Sequence, residues 1–172
     1  PARAPVDYKP FIGGQVGTPI TVELLLSDLQ IGKRSPGYDT QVARKRLWEY
    51  GRAALFQIEQ KASVGYRVER IVLGLIGDII ESDQKHDNSG RATDSSTAEQ
   101  IYDAIEGIFE LVIEPLAKLG IKFEIYGITG NHDWDGHDLN MFEPDKNHLS
   151  WPLFRSMELL CRRSEYSNVS WV

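Results

Sequence analysis

Three short polar motifs carry the residues of this chain that are best suited to chemistry. They read SDLQ at residues 27–30, GDIIE at residues 77–81 and GNHD at residues 130–133. Together they supply carboxylates, two side-chain amides and an imidazole, and such oxygen and nitrogen donors suit divalent Mn, Fe, Zn or Mg. Asp and Asn after a strand also make ordinary turns, which is an alternative explanation for any one motif. Three such motifs, each at a strand end, favour a metal site.

The elements that would position these motifs alternate along the chain. Short apolar runs bounded by turn residues predict four strands. The runs occupy residues 20–26, 70–76, 122–128 and 168–172. Apolar residues at helical spacing predict three helices between them. The helices cover residues 40–62, 97–119 and 151–163.

The resulting β-α-β-α-β-α-β order predicts an α/β fold with a mainly parallel sheet that helices cover on both faces. Asp39 or Thr40 is expected to cap the first helix, and Ser150 the last. Pro115 is expected to kink or shorten the middle helix. Because ligands bind beyond the carboxyl ends of parallel strands, the three motifs are expected to meet at one rim.

Bulk composition indicates one globular domain. The chain has 172 residues, of which 41% are hydrophobic and 26% charged, and no apolar run approaches the ~18–20 residues of a membrane helix. Residues 1–19 are expected to form an extended arm before the domain at 20–172. The single cysteine, Cys161, is expected in the core of a cytoplasmic protein in a reducing compartment. A net charge of -6 argues against generic attraction to nucleic acid or membranes, but bound cations would reverse the local field.

The three motifs resemble those of the calcineurin-like metallophosphoesterase superfamily. Its pattern is D-x-H, then G-D-x-x-[D/E], then G-N-H-[D/E], followed by two later histidine motifs. The resemblance covers most of residues 20–172 and is strongest to the DNA-repair exonuclease branch. It implies a layered sandwich of which this chain is the N-terminal portion, with the C-terminal portion missing.

The resemblance also implies an activity and a set of ligands. The activity is phosphoester hydrolysis, with DNA as one candidate substrate, by a hydroxide bound between two divalent cations. Mn is the first choice for both cations, with Mg, Fe or Zn as alternatives. Asp28 and Gln30 would bind the first metal, Asp78 would bridge both, and Asn131 would bind the second.

Further residues would act on the substrate. By the same resemblance, His132 lies near the scissile phosphate, where it stabilises the transition state or protonates the leaving oxygen, and Asp133 orients His132. Side chains close to the motifs are candidate substrate contacts. They are Lys33, His86, Trp134 and His137.

The chain departs from the family pattern in two ways. Gln30 stands where the family usually has histidine, so the first site is expected to bind Zn less well and Mn or Mg better. Alternatively, the site is catalytically weakened, or Gln30 hydrogen-bonds to a neighbouring group without binding metal. No G-H-x-H stretch occurs. We therefore expect the site to be completed by the missing C-terminal portion, and a homo-oligomer is also considered.

Two other functions fit the same residues. One is a non-catalytic scaffold or binding module that retains a degraded metallophosphoesterase fold. The other is a phosphomonoesterase or phosphoprotein phosphatase. Retention of Asp78, Asn131 and His132 together favours an enzyme, because a scaffold has no evident need for all three.

Overall fold

The computed structural model describes residues 16–83, 92–133 and 148–172. Its elements are β1 (Thr18–Leu26), α1 (Thr40–Ser63), β2 (Tyr66–Ile76), α2 (Thr97–Ile108), a π-helical segment (Phe109–Ile113), α3 (Glu114–Ala117), β3 (Lys122–Ile128), α4 (Ser150–Arg163) and β4 (Val169–Trp171). This alternation confirms the predicted α/β class. Within the described ranges, no helix is both long and apolar enough to cross a membrane.

The four strands form one sheet in the order β1-β2-β3-β4, and every neighbouring pair is parallel. Leu26 at the end of β1 pairs with Leu75, and Ile76 at the end of β2 pairs with Ile128. The carboxyl ends of β1, β2 and β3 therefore reach the same edge of the sheet, as predicted.

The core lies on one side of this sheet. Ile71, Leu73, Phe123 and Ile125 are fully buried there. On that side α1 packs against β2 and α2, and α2 packs against α4. Because parallel crossovers share one hand, a strand order that never reverses places successive helices on the same face. The expectation of helices on both faces is therefore wrong for the described part of the chain.

The opposite face of the sheet carries the alternate residues of each strand. Near the carboxyl ends these are apolar and solvent-exposed, with Leu25 at 67% and Ile128 at 55% exposure. Toward the other end the face is charged, and Arg70 lies 3.6 Å from the carboxylate of Glu124 on the neighbouring strand. A period of two in the strand sequence thus separates a buried face from an open one.

The middle helix is interrupted just before Pro115. Because Pro115 has no N–H, the carbonyl of Leu111 loses its usual donor four residues later. The chain widens there into the π-helical segment, with the N–H of Glu114 bonded to the carbonyl of Phe109. A Cβ atom on Gly51 of α1 would lie 1.9 Å from the Leu111 carbonyl oxygen, so α1 approaches the segment closely because residue 51 is glycine.

The predicted N-caps can be compared with the first residues of the helices in the structure. Asp39 caps α1 and accepts a hydrogen bond of 2.8 Å from the N–H of Val42. Ser150 is the first residue of α4 and does not cap it, so that prediction was wrong. β2 begins at Tyr66, four residues before the predicted start. The prediction missed these residues because Arg67 and Glu69 interrupt the apolar run.

Candidate active site

Backbone hydrogen bonds join the loops that follow the first three strands. The N–H of Asp28 donates to the carbonyl of Gly77 at 3.3 Å, and that of Gln30 to the carbonyl of Asp78 at 2.9 Å. The N–H of His132 donates to the Oδ1 atom of Asp78 at 2.8 Å. All three motifs therefore meet at one rim, with the GDIIE loop between the other two.

The backbone of this rim has a positive φ at several residues of the candidate site. Five described non-glycine residues have a positive φ, and three of them are Asp28 (53°), Gln30 (41°) and Asp78 (51°). This left-handed region costs side chains on the order of 1–2 kcal/mol each. Strain of this kind persists where the surrounding structure enforces it and is concentrated at functional sites.

Two glycines allow the loops to approach each other. Gly77 has a φ of 63°, and a Cβ there would lie 2.7 Å from the Cα of Gly130. A Cβ on Gly130 would lie 2.1 Å from both the backbone nitrogen and the Oδ1 of Asp78. Close contact therefore requires glycine at both positions, and at Gly77 the positive φ favours glycine as well.

The Asp133 carboxylate links the GDIIE and GNHD loops through hydrogen bonds to their backbone. It is fully buried and accepts hydrogen bonds from the N–H groups of Asp78 (3.0 Å), Ile79 (3.0 Å), Ile80 (3.3 Å) and Gly130 (2.9 Å). Burial raises the pKa of Asp133, while the amide donors oppose that rise. Its contacts are with backbone, which differs from the expected role of orienting His132.

The imidazole of His132 lies beside the carboxylate of Glu81. Its Nδ1 lies 3.2 Å from Oε2 of Glu81, whose residue is only 7% exposed. The two atoms approach closely but without the alignment of a hydrogen bond. A buried carboxylate beside one ring nitrogen biases the orientation of the ring. Sequence reasoning placed Glu81 in the GDIIE motif but gave it no role. Its acidic side chain four residues after Gly77 was the available signal.

Gln30 occupies the centre of a polar chain rather than an open ligand position. Its Oε1 accepts a hydrogen bond of 2.5 Å from the ammonium of Lys33. Its Nε2 lies 3.5 Å from Nε2 of His132. Both ends of the amide are thus engaged by protein groups, and Lys33 is brought to the rim as expected for a substrate contact.

The donor set fits a hard divalent ion only in part. Asp28 and Asp78 offer carboxylates, and the exposed Asn131 offers an amide oxygen, which suits Mg or Mn. No group of three or more His, Cys, Asp and Glu side chains that would hold a metal occurs within the described ranges. Gln30 does not fit as a ligand, because an ammonium group already occupies its oxygen.

Some expected site residues lie outside the described residues, namely His86, Trp134 and His137. Comparison with known protein families finds no match, and comparison with curated proteins finds none either.

Proposed function

We propose that this chain is a metal-dependent phosphoester hydrolase of the phosphodiesterase or nuclease type, built on a metallophosphoesterase-type layered fold. One observation carries the proposal: Asp28, Asp78, Asn131 and His132 follow three adjacent parallel strands at a single rim. Positive φ angles at Asp28, Gln30 and Asp78 support it, because such backbone conformations cluster at functional sites.

Each side chain then has a definable task. Asp28 and Asp78 would hold the cation through carboxylate oxygens, with Asn131 as a neutral oxygen donor. A divalent cation bound there supplies Lewis acidity, which lowers the pKa of water and offsets charge on the phosphoryl oxygens. His132, oriented by Glu81, would hold or deliver a proton at the leaving oxygen.

Substrate attraction must come from this rim and not from the whole surface. The chain carries a net charge of -6, which repels polyanions at long range. Lys33 and the bound cation would provide the local positive charge for one phosphate group. The preference for a nucleic-acid phosphodiester rests on the motif resemblance alone, so DNA and a small diester belong in the same assay.

The test measures Mn-dependent hydrolysis of bis(4-nitrophenyl) phosphate, a phosphomonoester and DNA by the protein. We expect activity on at least one diester, and an Asp78→Asn variant is expected to lose about 100-fold or more in kcat/KM. Asp103→Asn on α2 is the matched control and should retain activity. Lack of metal-dependent hydrolysis of every substrate would overturn the proposal.

A non-catalytic binding or scaffold module is the second candidate, and one contact favours it. The ammonium of Lys33 lies 2.5 Å from the oxygen of Gln30, where a metal would otherwise have to coordinate. A scaffold of this kind would bind a phosphate-bearing ligand without turning it over. Phosphate binding that does not require metal, together with no hydrolysis, would support this function over the enzyme.

A further inference from the structure

The strongest unexplained feature of the site is the contact between Lys33 and Gln30. Lysine has only donors, so the amide atom 2.5 Å from its ammonium must be the oxygen. The amide nitrogen therefore faces Nε2 of His132 at 3.5 Å. On the other side of the ring, Nδ1 of His132 lies 3.2 Å from Oε2 of Glu81.

These contacts form a chain from a cation to an acid. Lys33, Gln30, His132 and Glu81 are linked in that order, and all four are half-buried or buried. A divalent ion on the oxygen of Gln30 would lie within a few ångströms of the ammonium, and like charges at such a distance repel strongly. Either the ammonium or an ion can use this position, but not both.

The local backbone is built to present the ammonium here. The N–H of Gln30 is tied to Asp78, and the N–H of Lys33 donates to the carbonyl of Gln30 at 2.9 Å. This turn brings the Lys33 side chain back to Gln30, whose backbone has a φ of 41° and whose side-chain oxygen accepts the hydrogen bond from the ammonium. The side chain of Lys33 is half-buried, so the contact is not that of a lysine on the open surface.

We propose that the ammonium of Lys33 takes the place of one divalent cation in this site. In that arrangement Lys33 binds a phosphoryl oxygen of the substrate on the β1 side, where the first metal was expected. Gln30 is a positioning residue that ties Lys33 to His132 and does not bind metal. This inference rests on the proposed hydrolase function, and it replaces a two-metal site by a site of one metal and one ammonium on the described side chains.

The test counts bound Mn by calorimetric titration and by the electron paramagnetic resonance signal of free Mn. The proteins are the unmodified chain, Lys33→Met, Lys33→Arg and Lys45→Met, the last being a matched control on the exposed face of α1. Removing the ammonium frees the oxygen of Gln30 and relieves the repulsion. Lys33→Met should therefore bind one Mn more per chain than the other three, which should agree with one another.

A second variant tests Gln30 directly. Gln30→Ala should keep Mn affinity within about threefold of the unmodified chain, whereas loss of a true ligand would lower it about tenfold or more. Thermal unfolding of each variant establishes that it is folded at the titration temperature.

The outcomes separate the two proposals. Equal Mn counts for Lys33→Met and the unmodified chain, or a tenfold loss of affinity in Gln30→Ala, would overturn the role of Lys33. The expected Mn counts without hydrolysis of any phosphoester would overturn the proposed function and leave the charge replacement standing.

Discussion

Asp133 and Glu81 are both buried acids of the candidate site, yet their carboxylates face different partners. Asp133 accepts four backbone N–H groups, whereas Glu81 faces the ring of His132. The first arrangement fixes the shape of the rim, and the second places a carboxylate beside the imidazole of His132. Substitutions at the two positions should therefore affect different measurements.

Glu81→Gln is expected to impair turnover more than binding. The amide keeps the size of the side chain but removes the charge that orients His132, so kcat should fall about 10–100-fold while KM and Mn affinity change little. Steady-state kinetics and Mn titration measure these quantities. Glu49→Gln on the exposed surface of α1 serves as the control. A fall in Mn affinity that matches the fall in kcat would instead make Glu81 part of the metal site.

Asp133→Asn is expected to destabilise the fold. The amide nitrogen of asparagine cannot accept a hydrogen bond, so at least one buried backbone N–H would lose its partner, at a cost of about 2–3 kcal/mol. Urea unfolding measures the change. Asp103→Asn, at a partly buried position without a hydrogen bond to the carboxylate in the described residues, should change stability by less than about 1 kcal/mol. Equal effects at the two positions would contradict this account.

Among the elements, the contact between α1 and the π-helical segment depends on a single missing side chain. Gly51→Ala would normally favour a helix by up to about 1 kcal/mol. Here its Cβ would lie 1.9 Å from the carbonyl oxygen of Leu111, so the variant should lose a net ~1–3 kcal/mol. Gly107→Ala is the matched control, because its Cβ would meet only the flexible end of Leu47 at 3.1 Å. Thermal unfolding should show a lower Tm for the first variant alone.

Tyr166 links the turn before β4 to α3. Its hydroxyl donates a hydrogen bond of 3.0 Å to the carboxylate of Glu114. The pKa of Tyr166 is raised to about 12, mainly by burial and secondly by the carboxylate of Glu114. Because the folded state holds the hydroxyl proton more tightly than the unfolded state, Tyr166 contributes to stability at every pH below the ordinary tyrosine pKa of about 10. This contribution is lost as the pH rises from about 10 through about 12. The Tm should therefore fall more steeply between pH 10 and pH 12 in the unmodified chain than in Tyr166→Phe. If the Tm of both proteins fell equally with pH, the proposed effect of the Tyr166–Glu114 hydrogen bond would be refuted.

For the molecule as a whole, local patterns and long-range contacts determined different features. Helix α1 and strand β3 match their predicted ranges closely, because periodicity and the Asp39 cap are local signals. The rim was predictable because parallel strands share their carboxyl edge. Two contacts were not predictable, namely that of His132 with Glu81 and that of Lys33 with Gln30. Each depends on side-chain positions that the sequence pattern does not specify. The one-sided helix layer depends on strand order, which no single segment encodes.

A core on one side of the sheet gives the strands unequal faces, and one strand provides a paired test. Ile125 and Ile128 both lie in β3, the first fully buried under the helices and the second 55% exposed on the open face. Both alanine variants lose the same strand preference of isoleucine. Ile125→Ala also leaves a cavity and should cost about 2–5 kcal/mol, against less than about 1 kcal/mol for Ile128→Ala. Urea unfolding at neutral pH measures both. Similar losses would mean that the open face is covered in solution and contributes to the core as strongly as the helix-covered face.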